Sequence, residues 1–264
     1  MASIPAKVQD RLVSGIKKFQ PVLQDARTRD IGESDTVTII SDILSYVFGY
    51  DKYSEITSEH AIKSTFCDLA IKLDGALTIL IECKAIGLDL KDVHVKQAID
   101  YAANQGVDWV ALTNGVVWRV YRVHFTKPIE QELVVEFDFL TLSHKSDDDL
   151  WLLYLCCKEG WAKSALGDYH EQRQALSRFF IGALVVSEPV VSVIRRHLRK
   201  MCPDVKVSAE EIVAVLENET LKREVVEGDK AVESRKKVAR FLAKEERAKA
   251  KPDAAEDKSA TPAT

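Results

Sequence analysis

The chain has 264 residues, of which 46% are hydrophobic, and its formal net charge is −4. This length and composition allow a substantial buried core, in one large domain or two small ones. No apolar run approaches the roughly 20 residues that span a bilayer, and the first residues lack the apolar core of a secretory signal. We therefore expect a cytoplasmic protein that does not associate with a membrane.

The charge pattern limits the classes of partner. A negative net charge argues against a protein that binds nucleic acid simply by being basic, because neutralising phosphates requires clustered Lys and Arg. Basic residues do cluster at 194–200 and again at 235–249. Such clusters are equally typical of solvated helix faces. The five cysteines have no metal-site spacing, so we expect neither zinc nor disulfides.

The first predicted elements are a helix and two hairpins. Apolar residues at helical spacing predict a helix over Asp35–Phe48, with Ser34 or Asp35 as its cap and Gly49 at its end. A second helix over Asp92–Asn104 separates two β-hairpins, and this order implies a mixed sheet with at least one parallel pair. The predicted strands are Thr65–Lys72, Leu77–Ala85, Trp109–Thr113 and Val116–Val123.

The remainder of the chain is predicted to be helical. Apolar stripes indicate helices over Leu150–Cys157, Gln172–Val186 and Pro189–Met201, and a capping box at Ser208 and Glu211 starts another. After residue 243 almost nothing can be buried, which predicts disorder. We therefore expect an α/β domain over 1–145, a helical C-terminal region over 146–243 and a disordered tail over 244–264.

Three residues in the first hairpin suit metal-assisted phosphodiester cleavage, which needs converging carboxylates and a cation near the phosphate. The alternation of a strand places Glu82 and Lys84 on one face. A two-residue loop Asp74-Gly75 would put Asp68 on the opposite face from Glu82. A three-residue loop that begins at Leu73 would instead make them diagonal neighbours, so we expect the three-residue loop.

A half-exposed hairpin with an ordinary polar face is the competing interpretation of these residues. Against it, the strands that hold Asp68 and Glu82 are too apolar to be solvated edges, where unpaired charges are costly. Structural ion-pair networks nevertheless produce the same pattern, so the pattern alone leaves both interpretations open.

The combination of motifs resembles a known family. An Asp in a strand, a hairpin turn and Glu-x-Lys form the core of the PD-(D/E)xK nuclease superfamily. Over about residues 25–125 the chain looks like the N-terminal nuclease domain of type I restriction enzyme R subunits. The motifs that carry this resemblance are Glu33-Ser-Asp-Thr36, Phe48-Gly-Tyr-Asp51, Asp68, Ile81-Glu-Cys-Lys-Ala85, Gln97 with Tyr101, and Thr113-Asn-Gly-Val-Val-Trp118.

The resemblance implies a restriction-endonuclease-like mixed β-sheet flanked by helices, and a role for each matching residue. Asp68 and Glu82 would ligate Mg²⁺ or Mn²⁺, Glu33 would complete the metal site, and Lys84 would lie beside the attacking water and the scissile phosphate. Gln97 and Tyr101 match a feature that touches DNA or supports the catalytic strand.

Two features depart from the family pattern. Cys67 replaces the Pro that often precedes the first Asp, and the sequence has no Gly-x-x-x-x-Gly-Lys-[Ser/Thr] loop for an ATP-driven motor. We therefore expect a Mg²⁺-dependent DNA endonuclease without ATP, acting in defence against foreign DNA, whose helical half binds DNA or a protein partner. The alternative is a catalytically inactive nucleic-acid- or partner-binding module of the same fold.

Overall fold

The protein was analysed as a computed structural model, which describes residues 3–62 and 65–249; the side chains of residues 59–62, 65, 66, 97, 248 and 249 are not described. The first helix, α1 (Ala6–Thr28), was not predicted from the sequence. Its buried residues recur every three or four positions, from Val8 and Leu12 to Leu23. Pro21 lies inside this helix, although proline usually interrupts one, which obscures the pattern in the sequence.

The second helix, α2 (Glu33–Tyr46), begins earlier than predicted. Its N-cap is Gly32, with no side-chain cap, so the predicted cap at Ser34 or Asp35 is wrong. Glu33 consequently lies in the first helical turn. At the other end Gly49 adopts a positive φ of 83° and donates its N–H to Ser45, which reverses the chain as expected of glycine at that point.

Six strands form one mixed sheet among the described residues, in the order of the chain. The third and fourth strands are parallel, as predicted, and all other neighbours are antiparallel. The two edge strands were not predicted, because their many polar residues hide the alternation. The strands are β1 (Ile56–Ile62), β2 (Thr65–Leu73), β3 (Ala76–Cys83), β4 (Trp109–Thr113), β5 (Val117–His124) and β6 (Glu130–Asp138).

The loop of the first hairpin differs from the prediction. Leu73 pairs with Ala76, so the loop is the two residues Asp74 and Gly75, and the predicted three-residue loop is wrong. Both loop residues have positive φ, 51° and 79°. A two-residue turn with positive φ at both positions matches the right-handed twist of the flanking strands.

A β-bulge in the same hairpin restores the expected face. The register shifts between Ile71 and Lys72. Lys72 pairs with Leu77 and Ile71 pairs with Ile79, so the residue between them on β3, Thr78, has no partner across the ladder. The extra residue reverses the alternation, so Asp68 and Glu82 lie on one face despite the short loop. The predicted shared face is therefore correct, for a different reason.

Helices cover both faces of the sheet. On one face α3 (Asp92–Gln105) buries Val95 and Ile99 against Leu80 and Val110. On the other face lie α1 and α2, and Phe48, just after α2, packs edge-on against Trp118 with ring centroids 5.3 Å apart. The predicted restriction-endonuclease-like arrangement of a mixed sheet between helices is confirmed in this α/β architecture.

Two helices after the sheet pack with the sheet domain. Arg11 of α1 forms an ion pair with Glu159 at 2.6 Å, and the hydroxyl of Tyr50 donates to the carbonyl of Cys156 at 2.9 Å. The chain accordingly divides into compact units between Asp168 and Tyr169, further along than the boundary expected at residue 145. The helices concerned are α4 (Asp147–Leu155) and α5 (Lys158–Ala162).

The second unit is helical, as predicted, but two details differ. The helix predicted over Gln172–Val186 is interrupted, because Ser177 accepts the N–H of Phe180 and starts a new helix. The segment predicted to be disordered from residue 244 begins as helix, and its residues 250–264 lie outside the described residues. The helices from the boundary onward are α6 (Ala165–Ala175), which contains the boundary, α7 (Arg178–Val185), α8 (Glu188–Met201), α9 (Ala209–Val215), a π-helical turn (Leu216–Thr220), α10 (Arg223–Val226) and α11 (Asp229–Lys249).

The capping box predicted at the start of α9 is confirmed. Ser208 Oγ accepts the N–H of Glu211 at 3.1 Å, and the Glu211 carboxylate accepts the N–H of Ser208 at 2.8 Å. Each contact satisfies a backbone donor that the helix leaves free, which fixes the point where α9 begins.

Candidate active site

The four predicted site residues come from three neighbouring elements. Asp68 lies on β2, Glu82 is the penultimate residue of β3 and Lys84 follows that strand directly. Continuing the register of the ladder from Leu69 and Ile81 places Asp68 beside Glu82. Glu33 reaches the same place from the first turn of α2.

Lys84 lies between two of the carboxylates. Its Nζ is 2.6 Å from Glu82 Oε1 and 3.7 Å from Glu33 Oε2. The side chains of Lys84 and Glu82 are 18% and 10% exposed, whereas that of Glu33 is 49% exposed. The cluster therefore has a buried side, formed by the strands, and an open side at the start of α2.

The backbone of β3 holds the carboxylate of Asp68. Cys83 donates its N–H to Asp68 Oδ2 at 2.7 Å. The N–H of Lys84 is in turn bonded to the carbonyl of Thr113 on β4 at 2.9 Å. Three adjacent strands thus fix the positions from which these side chains project.

The surroundings of Glu82 oppose its negative charge. Burial raises the pKa of Glu82, the hydrogen bond from Lys84 partly offsets this, and the charges of Asp68 and Glu33 raise the pKa further. A divalent cation among the three carboxylates would relieve both the repulsion and the desolvation. Carboxylate oxygens are also the ligands that Mg²⁺ prefers, so the donor set suits this ion.

The same carboxylates keep Lys84 charged. Burial lowers the pKa of Lys84, but the hydrogen bond from its ammonium to Glu82 and the charges of Glu82, Glu33 and Asp68 outweigh burial, and the pKa is raised. The side chain is therefore an ammonium at neutral pH. It can donate to an oxygen but cannot remove a proton from water.

The two residues expected beside the site lie on α3. The side chain of Gln97 lies outside the described residues. Tyr101 is 4% exposed and packs in the cluster that contains Cys67, Ala70 and Leu80. Its hydroxyl has no hydrogen-bond partner among the described residues. Tyr101 is therefore part of the core against β2 and β3.

Asn114 has a role that the sequence did not indicate. Its Oδ1 accepts the N–H groups of Val116 and Val117 and closes the predicted turn. Its Nδ2 also donates to the carbonyls of Ile86 at 3.2 Å and Leu88 at 3.0 Å. Asn114 therefore holds the segment that follows Lys84, which a turn motif alone does not suggest.

Thr36 anchors the same segment to α2. It is fully buried, and its Oγ1 accepts the N–H of Ile86 at 3.2 Å while donating to the carbonyl of Gly32 at 2.8 Å. Because Gly32 caps α2, this contact sets the distance between the helix start and the end of β3. The position of Glu33 relative to Lys84 depends on it.

Comparison with known proteins supports the sequence resemblance. Residues 40–135 match the family model described as the type I restriction enzyme R protein N terminus. The match includes Asp68, Glu82 and Lys84, and it confirms the predicted resemblance over this range. Searches of the curated proteins and of the solved structures found no match.

None of the described helices is both long enough and apolar enough to cross a bilayer.

Proposed function

We propose that the protein is a divalent-metal-dependent DNA endonuclease that hydrolyses phosphodiester bonds. The observation that carries the proposal is the convergence of Asp68, Glu82, Glu33 and Lys84, three of which lie within the region that matches the restriction-enzyme family. We propose Mg²⁺, or Mn²⁺ in its place, as the ion held by the three carboxylates.

The bound ion would supply Lewis acidity toward a phosphate oxygen and lower the pKa of a water. The chain's own residues then have separable tasks. Asp68 is held by the Cys83 N–H, so its carboxylate is oriented before the ion arrives. Lys84, as an ammonium, donates to a non-bridging phosphate oxygen or orients the water. The neighbouring carboxylates raise the pKa of Lys84, which favours a donor over a general base for this residue.

The open side of the cluster is where the substrate would enter. Glu33 is the most exposed of the four residues and lies at the start of α2, whereas Glu82 is 8% exposed. A DNA backbone that approaches past Glu33 would meet Lys84 without any movement of the strands. This route requires no ATP, and the sequence contains no phosphate-binding loop for an ATP-driven motor.

The biological setting that fits this activity is cytoplasmic defence against foreign DNA. DNA is the proposed substrate because the matching family is part of a restriction enzyme. A protein partner that delivers DNA to the site would take the place of the motor.

The test is cleavage of supercoiled plasmid, linear duplex and single-stranded DNA with Mg²⁺ or Mn²⁺. We expect the wild type to nick or degrade DNA and Asp68→Asn and Lys84→Ala to be inactive. The matched control is Asp74→Asn, the same chemical change in the exposed turn at the far end of the hairpin, which should keep full activity. Circular dichroism establishes that each variant is folded.

The outcomes separate the two candidate functions. Loss of cleavage in Asp68→Asn but not in Asp74→Asn would support the nuclease. A folded wild type that binds these DNAs but cleaves none of them, with either ion, would favour the binding module of the same fold.

A further inference from the structure

The helix α8 carries two kinds of basic residue, which differ in what they do for the fold. Arg195 is half-buried and donates its Nε–H to the carbonyl of Val207 at 2.9 Å. This arginine joins α8 to the segment that follows it. Its presence is explained by packing within the second unit.

Three other basic residues of α8 have no such role. Arg196, Arg199 and Lys200 are exposed, and none of them has an ion pair or hydrogen bond within the described part of the chain. They are three and four positions apart, so they project from one side of the helix. We call these three residues the α8 basic face.

Stability of the helix does not account for this face. Like charges three or four residues apart repel one another and destabilise a helix. Arg199 and Lys200 lie in the last turn, where the helix dipole favours cations, but Arg196 lies a turn earlier and gains little. After Glu188 the helix has no acidic residue that would balance the three charges.

The charge balance of the second unit points in the same direction. The whole chain has 37 Lys and Arg against 41 Asp and Glu, whereas residues 169–249 contain more basic than acidic residues. Some cations of the unit are paired, for example Arg178 with Glu224 at 2.6 Å and Arg223 with Glu227 at 2.9 Å. The basic residues of α11 share their helix with Glu233, Glu245 and Glu246, whereas those of the α8 basic face have no acidic residue beside them on their helix.

We propose that the α8 basic face binds the phosphate backbone of duplex DNA. A cluster of unpaired cations on a rigid helix is complementary to a polyanion, and duplex DNA carries about one charge per 1.7 Å, a higher linear density than a single strand. Arginine and lysine side chains of this kind neutralise phosphates without reading sequence. The choice of DNA as the partner rests on the proposed function, whereas the location of the face does not.

The test measures binding without cleavage. Wild-type full-length protein is titrated into a fluorescein-labelled duplex in EDTA, and the dissociation constant is followed by anisotropy over a range of salt concentrations. The variant is Arg196→Gln/Arg199→Gln/Lys200→Gln. The matched control is Arg178→Gln/Arg223→Gln/Lys237→Gln, which removes the same charge from three cations of the same unit that have acidic partners.

The expected result is specific to the face. The α8 variant should bind duplex more weakly by on the order of tenfold. The slope of log affinity against log salt should be smaller in magnitude by about 2 to 3 for this variant, nearly one for each phosphate that is no longer neutralised. The control variant should show a much smaller change in both quantities. Circular dichroism of both variants checks that the helices remain.

Three results would overturn the inference. These are equal weakening in the two variants, an unchanged salt slope in the α8 variant, and tighter binding of the wild type to vesicles of anionic phospholipid or to single strands than to duplex. Plasmid cleavage is scored separately on the same proteins. If the wild type cleaves plasmid and the α8 variant binds duplex with unchanged affinity, only this inference is refuted. If the α8 variant binds more weakly but the wild type does not cleave, only the proposed activity is refuted.

Discussion

Replacing Asn114 with Ala should damage the protein more than any other exchange of a polar residue near the turn. The side chain makes two bonds to the carbonyls of Ile86 and Leu88 and accepts two backbone N–H groups, and it is 6% exposed. A buried group left without a partner costs about 1–3 kcal/mol. Because two of these four bonds are only partly buried and their groups can rebind water, we expect a total loss of about 3–5 kcal/mol in the free energy of unfolding.

The assay is urea denaturation followed by tryptophan fluorescence. All four tryptophans lie in the first compact unit, so the signal reports on the unit that contains Asn114. Asn104→Ala is the matched control, because Asn104 is exposed on α3 and makes one local bond to the carbonyl of Asp100. That control should change stability by less than about 0.5 kcal/mol.

Cleavage assays on the same variant test the link to the active site. If Asn114 positions the segment after Lys84, the folded variant at low temperature should cleave plasmid more slowly while its DNA affinity is unchanged. A cost similar to that of Asn104→Ala would mean that the backbone turn holds this segment without the side chain. The side chain of Asn114 would then not be what holds the segment after Lys84.

Three further predictions concern charge, an orphaned hydroxyl and a close backbone contact. Asp68→Asn removes a charge that repels Glu82, so the melting temperature of the variant without metal should be higher than that of the wild type. Mn²⁺ should raise the melting temperature of the wild type and have little effect on that of the variant. A metal-free variant that melts below the wild type would contradict the repulsion. Tyr101→Phe should leave the free energy of unfolding in urea unchanged or raise it by up to about 1 kcal/mol, because the buried hydroxyl has no hydrogen-bond partner among the described residues. A clear loss of stability would show that the hydroxyl does have a partner. Gly160→Ala should lower the free energy of unfolding by at least about 1–3 kcal/mol in thermal melts, because the new Cβ would lie 2.2 Å from the carbonyl oxygen of Tyr154. An unchanged stability would show that α5 can move to accommodate the methyl group.

The central elements were predictable because their side chains alternate or recur regularly. The strands around Asp68 and Glu82 are apolar on both sides, and α3 has a clear helical stripe. The edge strands β1 and β6 were missed because one side of an edge strand faces water and tolerates any polar residue. Local patterns therefore identify elements that are buried and fail for those that are half-solvated.

The site was predictable in its residue types but not in its supports. Asp68, Glu82 and Lys84 are charges within apolar strands, which is an unusual pattern that a sequence displays directly. The bonds from Asn114 to Ile86 and Leu88 cross 26 to 28 positions of the chain, and no local signal marks them. The loop was predicted wrongly because the bulge at Thr78 could not be inferred from residue types.

The bulge at Thr78 has a consequence for how this hairpin tolerates insertions and deletions. With a two-residue turn and a regular ladder, the chain as it stands would pair Asp68 with Ile81, and the bulge absorbs the one residue that would cause this. Deleting Thr78 should therefore remove the bulge and leave Asp68 beside Glu82 with the turn intact. Inserting one residue between Ile79 and Glu82 would instead turn Glu82 to the opposite face, so this hairpin should tolerate loss of the bulge residue but not an insertion beside the site.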